Sequence, residues 1–212
     1  MPPESALTAA WNAYRGGDTA TGITQAEGVV AKEPSHGEGW YVLALNLERA
    51  GRLGEADRCF QRAARASEAP QSPPYRVSWR RFVGVVELAA SGLPEPMRKQ
   101  VEEVALVLAD YPDPAQVEGD ADADADADVD VDVDADVDAE VLGLFEGLPR
   151  SERSDADPQS GITPRLSIFR RAHEHAAGSR ADFTAQVRTT LIHELGHYLG
   201  YGEEDLERLG LG

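Results

Sequence analysis

The run His193-Glu194-Leu195-Gly196-His197 places two imidazoles four residues apart. On a helix, positions four apart lie one above the other on one face. Both rings can therefore reach a single metal ion, and imidazole nitrogen binds zinc at about 2.0–2.1 Å. Glu194 sits one step round, beside such an ion and not on it. From there its carboxylate can take a proton from zinc-bound water, whose pKa the metal lowers to about 7. The spacing reads as ligand, base, ligand, and the chemistry as hydrolysis with Zn2+ as cofactor and Glu194 as the catalytic residue. Because Cys59 is the only cysteine, a multi-thiolate site is excluded and any zinc is held by His and carboxylate.

A catalytic zinc keeps three protein ligands and one open position. The continuation HELGHYLGYGE supplies Glu203 as the expected third ligand, since a turn through Gly200, Tyr201 and Gly202 would return its carboxylate to the metal. Glu204 and Asp205 are the alternatives, exchanged with it by slippage in the turn. The HEH at 173–175 reads as a surface patch following a strand rather than as a ligand source. Tyr198 and Tyr201 are conceivable oxyanion donors that read as packing residues.

The elements that must position these groups are legible around them. A helix is expected from about Asp182 to Leu199, capped by Ser179 or Asp182, with Phe183, Val187, Leu191, Leu195 and Leu199 as its buried stripe. Gly196 permits close approach of a neighbouring element, and Gly200 lets the chain leave the helix and fold back. Upstream, WRRFVGVVELAASGL is an amphipathic helical pattern ending at Gly92-Leu93-Pro94, and VEEVALVLADYP runs into a strand. Further strands are expected in VLGLFEG at 141–147 and in RLSIFRR at 165–171, the second alternating as a half-buried strand does. The expected fold class is α+β.

Residues 37–70 read as a helical hairpin, with Trp40, Leu43, Ala44 and Leu47 before a turn at Gly51 and Ala56, Phe60 and Ala63 after it. These eight positions resemble a tetratricopeptide repeat. One repeat length earlier, Ala9, Ala10, Ala13, Gly17, Val29 and Pro34 fall in register as a degenerate copy. Two such repeats bury little by themselves, so they are expected to lean on the helix around 74–91 and to present a surface to a protein partner. The expected domains are 1–72, tetratricopeptide-like, and 73–212, carrying the metal motif.

The chain's net charge of −18 is concentrated: residues 118–140 hold ten Asp and two Glu with no Lys or Arg, leaving −6 for the rest. That Asp-rich insert reads as a disordered, solvated loop, because like charges oppose compaction and alternating Ala and Val bury too little to offset chain entropy. It lacks the glycine and closing Glu of a shaped calcium loop. No basic stripe suits nucleic acid. No apolar run reaches membrane-spanning length, and MPPESALTAAW has neither a basic start nor a hydrophobic signal segment, so the expected location is cytoplasmic.

From about Trp79 to Gly212 the pieces FVGVVELAASGLP, VEEVALVLADYP, VLGLFEGLPRSER, ITPRLSIFRR and VRTTLIHELGHYLGYGEEDLERLG resemble, in order, a bacterial family of minimal zincin-like zinc metallopeptidases. The resemblance implies a short sheet against the motif helix, zinc on His193, His197 and the acidic residue at Glu203, and catalysis by Glu194. The family usually has Asp where this chain has Glu203, and the Asp-rich insert and the fused helices are atypical of it. The expected function is a zinc-dependent metallopeptidase acting on a peptide or protein substrate, which could dock by strand addition along RLSIFRR or VLGLFEG. The alternative is a repeat-based binding protein whose zinc is structural and fully enclosed by four ligands.

Overall fold

The structure is a computed structural model and describes residues 3–112, 141–151 and 163–208. It divides into two compact units, Met1–Pro74 and Tyr75–Gly212. The Asp-rich insert expected at 118–140 lies outside the described residues.

The first unit is helical. Helices α1 (Pro3–Arg15) and α2 (Thr19–Lys32) form one pair, α3 (Gly37–Arg49) and α4 (Leu53–Arg65) the next. Gly17 and Gly51 turn each pair with φ of +73° and +74°, a region that favours glycine. The positions expected to face inward do so: Leu43, Ala44, Leu47, Ala56 and Phe60 join Ala10, Tyr14, Ala26 and Val30 in one buried cluster.

In the second unit, helix α5 (Trp79–Ser91) gives its buried face of Phe82, Val86 and Ala89 to this unit's core, and the short α6 (Glu95–Val101) leads into strand β1 (Ala105–Ala109). Strands β2 (Gly143–Glu146) and β3 (Arg165–Phe169) complete a three-stranded sheet in the order β1-β3-β2. β3 runs parallel to β1 and antiparallel to β2. It is thus the central strand and is buried on both faces from Leu166 to Phe169, which corrects the expectation of a half-buried alternating strand. A strand enclosed on both sides reads as apolar throughout except where a small polar residue fits, here Ser167.

β3 passes without a loop into α7 (Arg170–Ala176), followed by α8 (Arg180–Tyr198) and α9 (Glu203–Arg208). Helix α8 begins slightly before the expected Asp182 because Ser179 is its cap, the Ser179 Oγ accepting from Asp182 N at 3.2 Å. Its stripe Phe183, Val187, Leu191 and Leu195 is buried against Leu166, Ile168 and the α5 face. Burial of that stripe is the main force seating α8 on the sheet, at about 1.5–3 kcal/mol for each large side chain. No described helix is long and apolar enough to cross a membrane.

Candidate metal centre

His193 and His197 lie on the C-terminal half of α8, both half-buried, with their Nε2 atoms 3.0 Å apart. Two nitrogens on one tetrahedral zinc stand about 3.3 Å apart at ordinary bond lengths. The pair is therefore preset to within a few tenths of an ångström of chelating geometry. His197 Nδ1 lies 3.2 Å from the Tyr201 carbonyl; as the donor there, it leaves Nε2 with the lone pair that a metal needs. Two imidazole nitrogens at this spacing suit zinc and supply two of the three protein ligands of a catalytic site.

Glu194 is buried and faces the sheet rather than the bulk solvent. A Cβ placed on Gly143 of β2 would lie 2.9 Å from both Cγ and Oε1 of Glu194 and 2.5 Å from Cγ2 of Thr190. Only glycine lets the strand lie this close to the carboxylate. Gly143 belongs to no sequence motif of the site; its one signal is that a glycine inside a strand pattern marks just such an approach.

The helix ends as its sequence requires. Gly200 takes φ +89°, its N–H donating to His197 O at 2.9 Å, while Tyr201 N donates to Gly196 O at 3.1 Å, a Schellman closure. The chain then folds back as α9, and Leu206 covers Gly196 so closely that a Cβ there would sit 2.4 Å from Leu206 Cδ2. Glu203 opens α9; its side chain lies outside the described residues. Among the described residues no group of three or more His, Cys, Asp or Glu gathers around a metal position, so neither Glu204, which is exposed, nor Asp205, which pairs with Arg208, completes the histidine pair. Tyr198 is buried and its hydroxyl donates to Glu103 at 2.7 Å, which makes it a packing residue, as expected.

The HEH segment is a correction. His173 and Glu174 are not a surface patch: both are completely buried on α7. His173 Nδ1 donates to Phe169 O at 2.7 Å, which leaves Nε2 to accept from the Thr190 hydroxyl at 3.1 Å. Glu174 accepts from Val77 N at 2.8 Å, from Arg76 Nη1 at 2.9 Å and from Arg171 Nη1 at 2.6 Å. Arg170 bridges Asp110 and the Val77 carbonyl. These bonds tie the chain before α5 to the end of the sheet, across sequence separations that no local pattern encodes.

Burial pushes the His173 imidazole pKa down, with the bond to Phe169 O acting in the opposite direction. The folded pKa lies below the unfolded value of about 6.5, so the unfolded chain takes up the proton first as pH falls. Stability is complete above that value and declines below it until the folded group also protonates, at no more than about 1.4 kcal/mol per pH unit. The expected result is a urea midpoint that falls between pH 7 and 5 in the wild type and falls less in His173→Gln. Equal acid slopes would show that His173 does not titrate this way.

Residues 115–212 match the model of the zincin-like metallopeptidase family. This stretch holds β2, β3 and the whole histidine pair, and it supports a metallopeptidase reading of the second unit. No curated protein matches the chain.

Proposed function

We propose that the second unit is a zinc-dependent metallopeptidase in which His193, His197 and Glu203 hold the ion and Glu194 is the catalytic base. The observation that carries this reading is the 3.0 Å convergence of two Nε2 atoms beside a buried glutamate seated against a strand. Zinc, when bound, supplies Lewis acidity toward the scissile carbonyl and makes water easier to deprotonate. Glu194 accepts the proton from the attacking water and returns it to the leaving amine. Gly143 keeps the strand pressed against that carboxylate and limits the water around it.

The sheet narrows the choice of docking strand. RLSIFRR is paired on both sides and cannot accept a further strand, whereas β2, from VLGLFEG, pairs only with β3 and has its other edge available for a peptide among the described strands. Half-burial of both histidines favours an accessible catalytic ion over an enclosed structural one. In the same proposal the first unit is a pair of tetratricopeptide-like hairpins that bind a protein partner, the protein is cytoplasmic, and neither nucleic acid nor membrane is a partner.

Elemental mass spectrometry of protein purified after zinc-replete expression tests the reading. One zinc per chain is expected, and a chain that carries none overturns it.

A further inference from the structure

We propose that the groove between α3 and α4 docks an acidic peptide segment of a partner protein. The inference rests on reading the first unit as protein-binding repeats and is independent of the metal centre. The groove has a volume of about 860 Å³ and is floored by Trp40, with Arg58, Arg62 and Arg65 along one wall. Their spacing of four and three residues sets the three guanidiniums on one face of α4. All three are exposed, and none takes part in an ion pair among the described residues. An exposed arginine row that makes no ion pair among the described residues matches a chain of carboxylates, which its planar forks bind bidentately.

Peptide fits better than nucleic acid. The Arg62 guanidinium already lies 4.5 Å from the centre of the Trp40 ring, which blocks that face from a stacking base. The Trp40 indole N–H is bound to Pro34 O at 2.9 Å and so holds the ring in place. The Gln61 amide in the same lining can both donate to and accept from peptide groups.

The test uses the full chain and a fluorescein-labelled, Glu-rich peptide, with the same peptide carrying Gln for every Glu as control. Saturable binding to the Glu peptide alone is expected, weakened about tenfold by the double change Arg58→Ala with Arg62→Ala, weakened less by Arg58→Lys with Arg62→Lys, which keeps the charge but loses the fork, and weakened by added salt. The Trp40 indole N–H resonance should shift on binding, and unchanged zinc content and melting temperature show that each variant is folded. Equal binding of the Gln peptide, indifference to the arginine changes, or tighter binding of a single-stranded oligonucleotide would each overturn the proposal.

Discussion

His193→Ala should strip the protein of zinc, weakening metal binding by roughly 10³-fold, well beyond the 10–100-fold that loss of an outer partner costs. The remaining His197 Nε2 would have no second imidazole at 3.0 Å to share an ion with. The informative contrast is Glu194→Gln. Gln keeps the shape that packs against Gly143 and Thr190, so zinc content and melting temperature should hold, while hydrolysis of a peptide library falls by about 10²–10⁴-fold with loss of the base. Glu203→Ala should resemble His193→Ala in metal content. Release of zinc by Glu194→Gln would make Glu194 a ligand and remove it from the catalytic role.

The second large effect lies outside the motif. Glu174→Ala would leave two guanidiniums and the Val77 N–H facing a cavity where a completely buried carboxylate had accepted all three. Breaking one side of a buried ionic cluster costs about 3–5 kcal/mol. Against a domain stability of about 5–15 kcal/mol this removes a large share, and at a urea slope of about 1–3 kcal/mol/M it moves the midpoint by about 2 M. Hydrogen exchange of the α8 amides reports the loss within the second unit. Replacing all three side chains by apolar ones, Glu174→Leu with Arg171→Met and Arg76→Leu, should recover part of it, since much of the cost arises from unpaired charge, with the Val77 N–H still left without its acceptor. A change of less than about 1 kcal/mol in Glu174→Ala would mean that water reaches and satisfies the arginines.

What could be read in the sequence follows from distance along the chain. The four-residue offset of His193 and His197 fixes their convergence through helix geometry alone, and Ser179 and Gly200 act within a few residues of their positions. The stripe from Phe183 to Leu195 and the hairpin turns at Gly17 and Gly51 are local in the same way. Strand order is not local. Both neighbours of β3 are separated from it by long connections, so a central strand with a serine in it looks like a half-exposed edge. The HEH segment misleads for a related reason: its partners Val77 and Arg76 come from the far end of the unit, and a buried charge whose neutralising groups are distant looks the same in sequence as a solvated one.

The strand order has a consequence for how this chain can vary. Neither β1 nor β2 pairs with the other; each takes its register from β3, which lies between them. The connection over 110–142 therefore sets no register, unlike a hairpin turn, whose length fixes the pairing. Variants that gain or lose Asp-Ala or Asp-Val dipeptides within 120–139 should therefore keep the same strand partners, so the length of that stretch can be changed at will as a tether for a label or a fused module.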